Sequence, residues 1–133
     1  MTLWTPSETP YFSAIEMQCK CGCARADMDG DFMAALQALR EVLGPLDVSS
    51  GFRCPAYNAR ISTTGSNGPH TTGRAADLRV QGHRAYALIG AAQAQGMTGL
   101  GVSQKGPHAA RFVHLDNLPA GETGGMRPWL WSY

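Results

Sequence analysis

The stretch His70-Thr71-Thr72-Gly73-Arg74-Ala75-Ala76-Asp77-Leu78-Arg79-Val80 joins a polar loop to an apolar strand. Residues 62–72 are mostly Ser, Thr, Gly, Asn and Pro, a composition typical of a loop. Residues 75–80 favour a strand. Small residues at positions 73, 75 and 76 let the backbone pass close to one point. The loop histidine and the strand aspartate are therefore predicted to turn toward the same place.

Outside this stretch the apolar pattern indicates further helices and strands. Apolar residues recur at three- and four-residue steps between 32 and 43, which predicts a helix capped by Asp29 or Asp31. Pro55 suits the first turn of a helix over 55–61, and an Ala-rich run predicts another over 82–95. Short strands are predicted over 46–48, 99–102, 111–116 and 129–133. The fold class is thus α+β, a small antiparallel sheet flanked by helices.

Length and composition narrow the function classes. The 133 residues fit one domain, predicted over 11–133, after an extended N-terminal arm at 1–10 that is rich in Thr and Pro. The formal net charge is +1 with no basic stripe, which argues against nucleic acid as a partner. No apolar run approaches the roughly 20 residues of a membrane helix, and no signal peptide is visible. We expect a monomer that is synthesised in the cytoplasm and not inserted into a membrane.

Three residues have the composition of a catalytic metal site. His70 and Asp77 lie in the stretch above, and His114 lies in the apolar run Phe112-Val113-His114-Leu115-Asp116. Two imidazoles and one carboxylate, with a fourth position left to water, are typical of catalytic zinc. A buried aspartate is costly unless a cation or metal pairs with it. The alternatives are a histidine satisfied within the core and an ion pair of Asp77 with Arg53 or Arg74.

Several motifs in order extend this pattern. They are Tyr11-Phe12-Ser13, Cys19-Lys20-Cys21-Gly22-Cys23, Ser50-Gly51-Phe52-Arg53-Cys54-Pro55, Asn58-Ala59, His70-x-x-Gly73-Arg74-Ala75-Ala76-Asp77 and Phe112-Val113-His114-Leu115-Asp116. Together they resemble the M15 family of zinc D-Ala-D-Ala carboxypeptidases and L,D- or L-alanyl-D-glutamate endopeptidases, in particular its small phage and prophage members. The resemblance covers roughly residues 11–116 and implies a hedgehog/DD-carboxypeptidase-like fold.

The resemblance also implies roles for individual residues. It makes His70, Asp77 and His114 the Zn²⁺ ligands, and Arg53 the residue that binds substrate and stabilises the oxyanion. The implied activity is hydrolysis of peptide bonds in peptidoglycan stem peptides, by a protein that reaches the cell wall after release or as part of a virion. A non-catalytic wall-binding or virion component with the same fold is the alternative.

The sequence departs from the family pattern at two places. Gly68 stands where many members have Ser, and Ser66 is the predicted substitute in substrate binding. Arg111 stands where many members have an acidic general base. Asp116, on the same side of the strand as His114, is the predicted base, with orientation of a ligand imidazole as its alternative role. His108, in a predicted hairpin loop, is the next candidate for acid–base catalysis.

Four cysteines form a separate group. Cys19, Cys21 and Cys23 alternate along the chain, and Cys54 follows the arginine motif. They allow an all-cysteine zinc site, a disulfide from Cys54 to one of the other three, or free buried thiols. A protein in which this zinc matters more than the histidines is a further reading of the sequence.

Overall fold

The computed structural model describes residues 2–133 and has the predicted α+β fold. The α-helices are α1 (Ala14–Met17), α2 (Gly30–Leu43), α3 (Pro55–Ile61) and α4 (Gly82–Ala94). The strands are β1 (Asp47–Ser50), β2 (Ala75–Arg79), β3 (Gly99–Ser103), β4 (Phe112–Asp116) and β5 (Trp129–Ser132). Among residues 2–133, no helix combines the length and apolar character needed to cross a membrane.

The five strands form one sheet in the order β1-β2-β4-β3-β5. Every neighbouring pair is antiparallel except β3 and β5, which are parallel. The register aligns one residue from each strand in a single row across the sheet: Ser50, Asp77, His114, Gly101 and Trp131. Paired residues point to the same face of a sheet, so this row defines one face, called here the site face.

The opposite face of the sheet carries the hydrophobic core. Leu78, Val113 and Leu115 have no exposed surface and belong to one cluster with side chains of α2 and α4. On α2 the residues Phe32, Met33, Leu36 and Leu39 are also fully buried. Each such side chain contributes about 1.5–3 kcal/mol when it leaves water. The apolar periodicity therefore fixes which face of the sheet α2 and α4 cover, and the site face is the other one.

Local signals set the ends of the helices. The Asp29 carboxylate caps α2 by accepting a hydrogen bond from the Phe32 amide at 3.0 Å. Gly44 ends the helix with φ +84°, a conformation that residues other than glycine rarely adopt. α3 begins at Pro55, whose missing N–H needs no partner in a first turn.

Residues 2–10 pack against the domain. Trp4 is buried and its indole Nε1 donates to Thr9 Oγ1 at 2.7 Å, while Leu3 forms an isolated β-bridge with Asp29. Pro6–Glu8 forms a 3-10 helix, so the predicted arm is not extended along its whole length. Met1 of that arm lies outside the described residues.

Candidate metal centre

Three donor atoms converge on the site face. His70 comes from a 3-10 helix (Pro69–Thr72) within the predicted loop, Asp77 from β2 and His114 from β4. Asp77 Oδ1 lies 3.2 Å from His70 Nε2 and 3.0 Å from His114 Nδ1. One ligand atom from each residue lies within 4.8 Å of the other two, and all three residues are buried. The structure thus brings together the residues that the sequence predicts as ligands.

A backbone carbonyl orients His70. Its Nδ1 is 2.8 Å from the Gly51 carbonyl oxygen, which can only accept, so Nδ1 carries the hydrogen and Nε2 offers a lone pair. Gly51 lies so close to Met17 that an added Cβ would be 2.7 Å from the Met17 carbonyl oxygen. A larger residue would have to shift the backbone here, and with it the carbonyl that orients His70.

A buried carboxylate orients His114. Its Nε2 is 2.8 Å from Asp116 Oδ2, and Asp116 has no exposed surface. Since an ionised carboxylate only accepts, Nε2 carries the hydrogen and Nδ1 turns its lone pair toward Asp77. A carboxylate behind a ligand imidazole is a common arrangement at zinc sites.

Two imidazole lone pairs and a carboxylate oxygen facing one another repel unless a cation lies between them. Burial opposes charge on Asp77, but the neighbouring His70 and His114 hold the pKa of Asp77 well below its usual range. Burial likewise opposes charge on His114, yet hydrogen bonds to Asp116 and Asp77 raise the pKa of its imidazole. The donor set and its orientation fit zinc, which takes two imidazoles and a carboxylate.

Asp116 is also paired with Arg127. The guanidinium forms a fork, with Nε 2.9 Å from Oδ1 and Nη2 2.8 Å from Oδ2. Arg127 Nη1 donates to the carbonyls of Gly124 and Met126. Gly99 leaves room for this pair, because a Cβ there would overlap the Asp116 carboxylate. The general-base role predicted for Asp116 does not fit this position, since both oxygens are engaged and the residue does not line the pocket. Its position fits the alternative, orientation of His114.

The Asp116 pair predicts an acid-labile fold in the metal-free protein. Burial would raise the pKa of Asp116, but hydrogen bonds from His114 and Arg127 hold it at about 2, against about 4 in an unfolded chain. The ionised group therefore contributes about 2 kcal/mol, fully present above pH ~4 and lost as pH falls through about 2.

Urea unfolding of chelator-treated protein over this acidic range tests that expectation. The free energy of unfolding should fall less steeply with decreasing pH in Asp116→Asn than in the wild type. Asp47→Asn, which alters an exposed carboxylate on β1, is the matched control and should keep the wild-type slope. Equal slopes in all three proteins would contradict the proposed contribution of Asp116.

The three donors lie in a pocket of about 520 Å³. Its lining includes the hydroxyl-bearing residues Ser62, Thr63 and Thr64 and the aromatic residues Phe112, Trp129, Trp131 and Tyr133. Within residues 2–133, Asp77 is the only acidic residue among those that line it. The pocket therefore combines hydroxyl groups, aromatic rings and the candidate metal centre.

Arg53 lines the pocket as predicted. Its Nε donates to Ser50 Oγ at 3.0 Å and its Nη1 to Asn58 Oδ1 at 3.1 Å, while Nη2 lies 3.5 Å from Asp77 Oδ2. A guanidinium has five N–H donors, so Arg53 keeps donors for another acceptor. Arg127 differs, because its hydrogen bonds go to Asp116 and to backbone carbonyls.

Two predicted residues lie away from the pocket. Ser66 is exposed on a 3-10 helix (Gly65–Asn67), and the neighbouring residues 62–64 line the pocket instead. His108 is exposed on another 3-10 helix (His108–Ala110) and is also absent from the lining. The roles predicted for Ser66 and His108 therefore lack support in this arrangement.

Sequence reasoning missed the contribution of β5. The Trp131 ring lies 5.1 Å from the His114 ring, measured between centroids, and Gly101 provides its space because a Cβ there would be 2.5 Å from Trp131 Nε1. Burial raises the pKa of Tyr133, so this phenol stays protonated at neutral pH. The alternation of Trp129, Trp131 and Tyr133 was the available signal, since it predicts an aromatic face on one strand.

Comparison with known families agrees with this geometry. Residues 10–116 match a family model described as Peptidase M15. Comparisons with curated proteins and with solved structures gave no significant match. The matched range covers most of the 133 residues and includes His70, Asp77 and His114. It ends before Arg127 and β5. The chain therefore belongs to the M15 peptidase family.

Proposed function

We propose that this protein is a zinc-dependent peptidase that hydrolyses peptide bonds in peptidoglycan stem peptides. The observation that carries the proposal is the convergence of three oriented donors, His70 Nε2, Asp77 Oδ1 and His114 Nδ1, in an open pocket. Family membership supports peptidase activity, and peptidases of this family are typically zinc-dependent. Catalytic zinc sites commonly have three protein ligands and one open position.

The residues around the centre have distinct roles in this proposal. When bound, zinc polarises a carbonyl oxygen and makes water a nucleophile at neutral pH. Gly51 and Asp116 hold the two imidazoles in the orientation that presents their lone pairs. Arg53 directs its spare N–H groups at the substrate carbonyl, where they stabilise negative charge as it develops. Tyr133, a protonated phenol, is a second donor in the pocket.

The pocket chemistry supports a peptide substrate with small side chains and carboxylates. Arg53 supplies a planar donor pair that suits a carboxylate or a peptide carbonyl. Residues 62–64 offer hydroxyl groups for a peptide backbone, and the aromatic residues of β5 offer apolar contact. Peptidoglycan stem peptides have both features, alanyl methyl groups and free carboxylates. The protein would act as a monomer on the wall, after release or as part of a virion.

Digestion of purified peptidoglycan tests this function. The zinc-loaded protein is expected to release peptide fragments that mass spectrometry detects and that disappear when a chelator is present. A new internal N-terminus would identify an endopeptidase, and loss of one terminal D-Ala would identify a carboxypeptidase. Intact peptidoglycan after incubation with protein of full zinc content would contradict the proposal.

A non-catalytic peptidoglycan-binding protein is the second candidate function. One observation favours it: apart from Asp77, no acidic residue of the described chain lines the pocket to accept a proton. Such a protein would co-sediment with peptidoglycan and leave it uncut. The same digestion therefore separates the two candidates when binding is measured in parallel.

Arg53→Lys should lower kcat/KM by about 10²–10³-fold, because lysine keeps the charge but loses the planar pair of donors. Zinc content is expected to stay at the wild-type value. Arg60→Lys is the matched control, since Arg60 is exposed on α3 and lies outside the pocket lining. Unchanged kcat/KM in Arg53→Lys would assign Arg53 a structural role only.

Asp116→Asn separates orientation of His114 from general-base catalysis. If Asp116 orients the imidazole, zinc affinity should fall about 10–100-fold, and kcat at saturating zinc should return close to the wild-type value. A general base would instead lose about 10²–10⁴-fold in kcat at full zinc occupancy. Competition with a chelator of known affinity gives the first quantity, and turnover of a purified muropeptide gives the second.

A further inference from the structure

The four cysteines form a cluster that is separate from the proposed ligands His70, Asp77 and His114. Cys19, Cys21 and Cys23 belong to the segment after α1, and Cys54 immediately precedes α3. The four Sγ atoms lie within 4.8 Å of one another, and all four thiols are free. Each cysteine thus contributes one sulfur to a single cluster.

The spacing of the sulfurs matches a tetrahedral metal site. Zinc–sulfur bonds of about 2.3 Å imply sulfurs about 3.8 Å apart at the corners of a tetrahedron. Cys21 Sγ lies 3.4 Å from Cys19 Sγ and 3.6 Å from Cys54 Sγ. A disulfide would need two sulfurs about 2.05 Å apart, much closer than these separations. One ion at the centre accounts for all four.

The backbone around the cluster is shaped to hold these sulfurs. Gly22 has φ +96° and Ala24 has φ +61°, so the chain turns sharply on both sides of Cys23. The Cys19 amide donates to the Arg25 carbonyl at 2.7 Å, which closes the turn. The Cys54 amide donates to Cys19 Sγ at 3.3 Å, a contact that favours a thiolate.

We propose that Cys19, Cys21, Cys23 and Cys54 hold a second zinc ion in a closed, structural four-thiolate site. Binding releases the thiol protons to solvent and changes no oxidation state. The Arg25 guanidinium lies over the ring of Phe52, two residues before Cys54, and is paired with Asp27.

The cysteine cluster adjoins the segment that contains Gly51, Phe52 and Arg53. Cys54 follows Arg53 directly, and the Phe52 amide donates to the Met17 carbonyl at 2.8 Å. The same segment includes Gly51, whose carbonyl orients His70. The second ion therefore ties residues 19–23 to the segment that carries Arg53 and positions a ligand of the peptidase centre.

Metal analysis of variants purified under reducing conditions tests the site apart from activity. The wild type should hold two zinc ions per chain, and His70→Ala and Cys21→Ser should each hold one. After cobalt replaces zinc, an intense thiolate-to-cobalt charge-transfer band should persist in His70→Ala and vanish in Cys21→Ser. A charge-transfer band or zinc content that is unchanged by Cys21→Ser would overturn the proposal. Because the second ion is read in His70→Ala, failure of the peptidase proposal would leave this result interpretable.

A second measurement does not depend on the folding of a cysteine variant. In His70→Ala with its cysteines intact, stepwise titration with an organomercurial should release one zinc ion as the four thiols react. A chromophoric chelator detects the release. Reaction of four thiols without zinc release, or an intact mass that is lower by the hydrogens lost in a disulfide, would overturn the proposal.

Discussion

Replacing His70 by alanine is expected to empty the peptidase centre and reduce peptidoglycan hydrolysis to background. The change removes one of three donors and leaves Asp77 and His114 with an open side toward the pocket. Metal ions supply several kcal/mol of charge stabilisation to a transition state, and each 1.36 kcal/mol is tenfold in rate, so the loss should be about 10³-fold or more.

Zinc content by atomic absorption and muropeptide release by mass spectrometry measure the two effects. His83→Ala is the matched control, since His83 is exposed on α4 and does not line the pocket that contains the three donors. That variant should keep wild-type metal content and activity. If His70→Ala retained both as well, the ligand set proposed here would be wrong.

Arg127→Met should have the largest effect on stability. Its side chain is 3% exposed and Asp116 is fully buried, so the variant leaves a carboxylate inside the protein without its guanidinium partner. Removing one partner of a buried ion pair typically costs about 3–5 kcal/mol. The free energy of unfolding in urea, measured on metal-free protein, should fall by that amount.

An exposed ion pair provides the control for this measurement. Arg79 and Asp47 pair at 3.4 Å, with side chains 48% and 66% exposed, and such pairs contribute about 0–1 kcal/mol. Arg79→Met should therefore be nearly neutral. Adding Asp116→Asn to Arg127→Met should cost less than the sum of the two single changes, because the second change removes the stranded charge. A cost for Arg127→Met no greater than that for Arg79→Met would contradict the buried pair.

Local patterns in the sequence predicted much of the sheet and its metal donors. The apolar run around His114 and the alternation in β2 placed Asp77 and His114 on short strands, and the sheet pairs them directly. α3 occupies the predicted residues 55–61, because Pro55 marks its first turn. These features depend on neighbours in sequence, where side-chain periodicity is informative.

Features that depend on distant contacts could not be read in this way. The parallel pairing of β5 with β3 brings Trp131 beside His114, and no periodicity encodes which strand a terminal strand joins. Strand alternation correctly placed Asp116 beside His114, but its role follows from Arg127, eleven residues away on a different segment. Ser66 and His108 lie on short 3-10 helices, and composition does not show which way such turns face.

The row from Ser50 to Trp131 has a consequence for how the protein can change over evolutionary time. Five residues share one register, so a slip of one residue in β2 or β4 would turn Asp77 or His114 toward the core. The residues of the site face therefore depend on the pairing of the strands, and the two change only together. Residues 62–64 and 123–124 border the same pocket from connecting segments outside the sheet. Substitutions in these two segments can therefore change which substrates bind without moving the residues of the site face.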